Sequence, residues 1–123
     1  MTDRTAFASW QAFNAKIEQV QCLCQNDTGK LALPPELFSL LDELYDEFQA
    51  QIAAGSEPFS RLGAGARHVT ELHRLLRLSL TDAALCRAAR SEGLQRQRRE
   101  RLRERLSQLH PHATAIAAAL SDL

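Results

Sequence analysis

Long apolar runs, a net charge, β-branched residues and paired cysteines are all scarce or missing in this 123-residue chain, and each scarcity excludes a class of protein. No stretch approaches the roughly 20 apolar residues that cross a bilayer, and Ala113–Leu120 is both short and alanine-rich, so no membrane association is expected. Met1–Ser9 carries Asp3 and Arg4 where a signal peptide would have an unbroken apolar core, which points to the cytoplasm. The cysteines Cys22, Cys24 and Cys86 are odd in number, as in a reducing compartment, so no disulfide framework is expected. On a helix Cys22 and Cys24 lie about 200° apart, so neither a bond nor a shared metal follows, and the thiols read as buried or half-buried. Valine, isoleucine and threonine are few and aromatics make up 6% of the chain, which leaves little to build strands from.

Chemical signatures are missing as well. There is no G-x-S-x-G, phosphate loop, dinucleotide fingerprint, H-E-x-x-H or paired Glu-x-x-His motif, so no catalytic residue, cofactor or metal is assigned and the chain is not expected to be an enzyme. The nearest metal constellation is H-V-T-E-L-H. His68 and Glu71 can share one side of a helix, but His73 points away, leaving two ligands where a stable site needs three or four. His110-Pro111-His112 is read as part of a turn.

What is present is helical periodicity. With 45% apolar and 24% charged residues the composition is that of a globular domain, and its length is enough to bury a core without disulfides or metal. Phe7, Trp10, Phe13, Ile17, Val20 and Cys24 recur at spacings of three and four and make the apolar stripe of a first helix, which stops at the turn formers Asn26-Asp27-Thr28-Gly29. Pro35 suits the first turn of a second helix with Leu37, Leu41, Leu44, Tyr45, Phe48 and Ile52 on one face and Gly55 as its cap. A loop over about 55–65, carrying Phe59 and Leu62, leads to a third helix from near Ala66 with Val69, Leu72, Leu75, Leu76, Leu80 and Ala83 inward. Leu78 and Leu85 fall about 140° from that line, giving this helix a second apolar side. Ser79-Leu80-Thr81-Asp82 and Ser91-Glu92-Gly93 each resemble a helix break, and one long helix is the alternative. Further on, Leu102, Leu106, Leu109, Ala113, Ile116 and Leu120 form a coiled-coil-like seam, with a kink or restart expected at His110-Pro111.

The expected fold is therefore all-α: a single domain over residues 1–123, built as a four- to five-helix bundle or as an elongated helical hairpin that can complete its core by dimerisation. An acidic helical pair occupies about 5–55 and a basic helical part about 66–123. Split between Glu57 and Pro58, the first part holds nine acidic and three basic residues and the second six acidic and twelve basic. Such segregation favours contact between the halves, within one molecule or between two copies.

Six arginines fall between Arg96 and Arg105. On a helical wheel with Arg98 at zero, Leu109, Leu102 and Leu106 lie at about 20°, 40° and 80°, with Arg98, Arg101 and Arg105 on one side and Arg96, Arg99 and Arg103 on the other. Gln97, Glu100, Glu104 and Gln108 take the outward face. A phosphate-binding helix would turn its cations outward, so these arginines read as the edges of an apolar seam, paired with carboxylates of a neighbouring helix. Asp42 and Glu47 flank the apolar face of the second helix as possible counter-charges, while Glu36, Glu43 and Asp46 point outward.

The function expected is that of a cytoplasmic adaptor or regulator binding a protein partner through Leu78, Leu85, Arg98, Arg101, Leu102, Arg105, Leu106 and Leu109, and forming a homodimer. Sequestering a transcription regulator and chaperoning a secretion substrate both fit. In general composition the basic, leucine-bearing C-terminal helix resembles those of bacterial flagellar and type III export chaperones, with no specific motif shared. The alternatives are a nucleic-acid-associated protein using Arg87, Arg90 and the Arg96–Arg105 run, or a structural subunit of a larger assembly.

Overall fold

The computed structural model describes residues 4–25, 33–54 and 65–121. The expected turn at Asn26–Gly29, the Gly55 cap and the loop with Phe59 and Leu62 lie outside the described residues, as does the side chain of Phe7. Five helical segments are present among the described residues: α1 (Arg4–Gln25), α2 (Pro35–Ala54), α3 (Gly65–Ala88), α4 (Glu92–Ser107) and α5 (Leu109–Ser121), with no strand. The protein is all-α, as its periodicity predicts.

The stripes read from the sequence are the faces that pack. Trp10, Phe13, Ile17, Val20 and Cys24 of α1 and Leu37, Leu41, Leu44 and Phe48 of α2 are buried, with Tyr45 and Ile52 packed at the edge. Trp10 meets Phe13 and Phe48 edge-on, at ring-centroid distances of 5.1 and 6.1 Å, the arrangement the ring quadrupoles favour. All six residues of the seam from Leu102 to Leu120 are buried in the same core. That core closes within one chain, so the fold is the bundle and not the hairpin.

α3 runs unbroken through Ser79-Leu80-Thr81-Asp82. Ser79 Oγ donates to the Leu75 carbonyl at 2.8 Å and Thr81 Oγ1 to the Arg77 carbonyl at 3.2 Å, so both hydroxyls are satisfied four residues back and neither caps a new helix. The break falls at the other candidate. Ser91 adopts extended backbone angles and accepts from the Leu94 amide at 3.2 Å, capping α4.

The seam bends at Gln108, not at His110-Pro111. The Gln108 amide bonds back to the Arg105 carbonyl at 3.1 Å, tightening the last turn of α4. Pro111 is then the third residue of α5, where a missing amide hydrogen costs nothing within the helix. His110-Pro111-His112 is thus helical rather than a turn. From α1, Gln21 Nε2 donates to the Leu106 carbonyl at 2.8 Å, and Asn14 Nδ2 to Thr114 Oγ1 at 3.1 Å. Two side chains of α1 thereby bracket the bend.

The helices pack in a ring of antiparallel neighbours: α1 on α2, α2 on α3, α3 on the α4–α5 arm, and that arm on α1. The antiparallel sense shows in the pairs Lys16–Glu47, Phe38–Arg87, Asp82–Arg105 and Asn14–Thr114. α2 and the α4–α5 arm occupy opposite corners. The acidic α2 therefore does not pack against the arginine-rich α4, and the two halves of the chain meet instead at α2–α3 and between α1 and the arm.

Replacing Gln21 with alanine leaves the part-buried Leu106 carbonyl at the bend without its amide donor. A loss of about 1–2 kcal/mol is expected, read as a thermal midpoint roughly 3–8 °C lower. An unchanged midpoint would mean that the bend does not depend on α1.

Candidate functional site

The arginine run is divided by the faces of α4. Gln97, Glu100, Glu104 and Gln108 are exposed, Arg98, Arg99, Arg103 and Arg105 are half-buried, and Arg96 and Arg101 are exposed. The flanking arginines serve the bundle. On the α3 side Arg105 Nε donates to Asp82 Oδ2 at 3.2 Å; the Asp82 side chain is only 7% exposed and that of Arg105 25%. On the α1 side Arg99 donates to the Cys24 carbonyl at 3.3 Å. α1 has no basic residue in its own last turn, so this guanidinium supplies a cation where the helix dipole is negative. Arg103 pairs with Glu100 of its own helix at 2.6 Å. The expected counter-charges of α2 are used otherwise: Glu47 pairs with Lys16 and holds its ammonium pKa above the ordinary value, and Asp42 is exposed.

Leu102, Leu106 and Leu109, expected at the partner surface, have 1% exposure or less and belong to the core. The other proposed contacts gather along the outer edge of the α3–α4 seam. Leu78 and Leu85 are half-buried and stand four residues before and three after Asp82, on its side of α3. Arg98 and Arg101 stand seven and four residues before Arg105, on its side of α4. Leu94 continues that line one turn further. It is 38% exposed, the one large apolar side chain among the described residues that is open to solvent. Counting the seam from Leu102 onward misses Leu94, whose i+4 relation to Arg98 is the signal that would find it.

Other residues find partners that linear spacing does not indicate. Arg87, a candidate phosphate ligand by sequence, lies over the Phe38 ring at 4.6 Å. His73 stacks on Phe48 at 5.6 Å and on Tyr45 at 5.9 Å. His68 meets His112 of α5, Nδ1 to Nδ1 at 3.0 Å, while Glu71 is held by Arg74, which lowers its carboxyl pKa. Among the described residues no three or more His, Cys, Asp or Glu side chains converge as metal ligands. No described helix is long and apolar enough to cross a membrane.

Of the thiols, Cys22 is exposed and Cys24 and Cys86 are buried. Burial pushes the Cys86 thiol up to about 11, with Cys24 and Asp82 adding to the rise and Arg98 and Arg99 opposing it. Burial also raises Cys24 against the pull of Arg103 and Arg99.

Compared with protein-family models, with characterised proteins and with solved structures, the chain matches none.

Two outcomes follow from this geometry. Arg105→Ala strands the buried Asp82 carboxylate and is expected to cost about 3 kcal/mol, whereas Arg101→Ala at an exposed position stays within about 0.5 kcal/mol; chemical denaturation of the two variants measures both. A raised pKa keeps a thiol protonated, and the thiolate is the nucleophile, so Cys24 and Cys86 should react with a disulfide reagent at pH 8 at least about 100-fold more slowly than Cys22 and catch up in denaturant. Three equally fast thiols in the native protein would contradict the packing of α1 and α3 against α4.

Proposed function

We propose that this chain is a non-enzymatic cytoplasmic adaptor that binds a protein partner along the outer edge of the α3–α4 seam. The observation that carries this reading is Leu94, an exposed leucine in line with Arg98 and Arg101 on the same α3–α4 edge that carries the half-buried Leu78 and Leu85 further along. An apolar strip with an arginine border fits the face of an amphipathic helix bearing carboxylates, the groove mode of peptide recognition. Arginine alkyl stems extend the apolar contact while the guanidinium groups select acidic partners. Sequestration of a regulator and chaperoning of a secreted protein both use such a surface.

Nucleic-acid binding is the weaker reading because Arg99, Arg103 and Arg105 already hold a carbonyl, a glutamate and a buried aspartate, and the outward face of α4 presents Glu100 and Glu104. Phosphate binding draws its affinity from many cations acting together.

A photo-crosslinking side chain at Leu94, expressed in the native cell, is expected to give one discrete adduct with a different protein, and the same side chain at exposed Asp46 on α2 is not. No adduct from Leu94, or the same ladder from both positions, overturns the proposal. So does a shift of a random DNA duplex by micromolar protein at about 150 mM salt, near physiological ionic strength.

A further inference from the structure

Charges of opposite sign that form no ion pair among the described residues lie on opposite sides of the bundle. Between α1 and α2 runs a groove of about 530 Å³ floored by Leu23 and Leu40 and edged by Glu18 and Glu36. Both leucines are half-buried and both glutamates exposed. α2 contributes five carboxylates and no cation along its length. Among the described residues neither Glu18 nor Glu36 forms an ion pair, and neither does Arg98 or Arg101 across the molecule. In a ring ordered α1, α2, α3, arm, the α1–α2 groove and the α3–α4 seam are opposite sides.

From this we infer that a second copy of this chain is the occupant of the α1–α2 groove, received head to tail: the Leu85, Leu94, Arg98 and Arg101 edge of one molecule seats against Leu23, Leu40, Glu18 and Glu36 of the next. Charge complementarity selects that occupant. Among the described residues the groove offers carboxylates and an apolar floor with no cation in its lining, and the chain's own far side offers arginines and leucines. Complementary patches on opposite sides make a heterologous contact. Each copy keeps one free patch of each kind, so association does not stop at two but continues as a stack or closes as a larger ring. This differs from the homodimer expected from the sequence. A two-fold contact needs each molecule to present the same patch to the other, and these patches face apart.

The contact shares the α3–α4 edge with the proposed function but names a different occupant and a second surface. Light scattering of the full chain at about 50 mM salt is expected to show an average mass that rises with concentration past twice that of the chain and returns to the monomer at about 500 mM, where exposed charges are screened. Two variants with intact helical melting curves make the test specific. Glu18→Gln with Glu36→Gln removes the acidic patch, and Arg98→Gln with Arg101→Gln removes the basic one. Each alone is expected to be monomeric, and an equimolar mixture to give a complex of one copy of each that grows no further. A parent that stays monomeric at low salt, a species that saturates at two copies, or a mixture that stays monomeric overturns the inference. An adduct from Leu94 with a different protein, with no self-association, would leave the proposed function standing and this inference failed; the reverse result would separate them the other way.

Discussion

The bundle depends on one continuous apolar seam that passes through a break in its own helix. Leu102, Leu106 and Leu109 belong to the end of α4 and the start of α5, and Ala113, Ile116 and Leu120 carry the line to the end of the described chain. Each large side chain is worth about 1.5–3 kcal/mol when fully buried, so the arm must keep one face inward on both sides of Gln108. A proline in the first turn of α5 makes this possible. It lets the backbone change direction where amide hydrogens have no helical partner, and Gln21 from α1 satisfies the Leu106 carbonyl at the bend. The arm is then long enough to lie along both α1 and α3.

Once the arm fills that corner, the roles of its arginines follow from which neighbour each one meets. Arg105 reaches a buried carboxylate, Arg99 the carbonyl end of α1, and on α3 Arg87 covers an aromatic ring. These uses call for a planar, permanently charged group whose several donors are held in a fixed fork and whose face can stack, which a lysine ammonium does not provide. The chain's one described lysine, Lys16, makes a point-charge pair with Glu47 at the half-exposed edge of α1 and α2. Arginine in place of lysine is therefore a packing choice as much as an electrostatic one.

Periodicity alone makes the helices and the division of α4 legible. Glu100 and Glu104 are outward and Arg98, Arg99, Arg103 and Arg105 flank the seam because a 100° step per residue is a local property. The partners of those flanking residues are not legible in the same way. Asp42 and Glu47 are the acidic candidates by pattern, yet Asp82 receives Arg105, since the partner is set by the order of helices around the ring. The same applies to His68, which finds His112 far along the chain and not its near neighbour His73. Ser79-Leu80-Thr81-Asp82 misleads for a different reason. Serine, threonine and aspartate cap helices or bond back within them with the same atoms, and only the packing of Ser79 and Asp82 against other helices decides which.

The chain's formal charge is zero, yet the fold does not let that charge cancel locally. Six arginines against three glutamates on α4 stand at the corner opposite five carboxylates on α2, with the apolar core between them. Acidic α2 has a basic ring neighbour in α3, which carries Arg67, Arg74, Arg77 and Arg87, yet no ion pair joins the two among the described residues. The up-and-down connection of four arms places the arginines of α4 one corner further from α2, and the opposite charges of these two helices are separated as a dipole across the width of the bundle. The field of such a dipole is felt within about 8 Å at physiological salt, which is the range over which two approaching molecules orient before contact. The arrangement of helices, more than the number of charges, is what turns a neutral chain into one with two unlike sides.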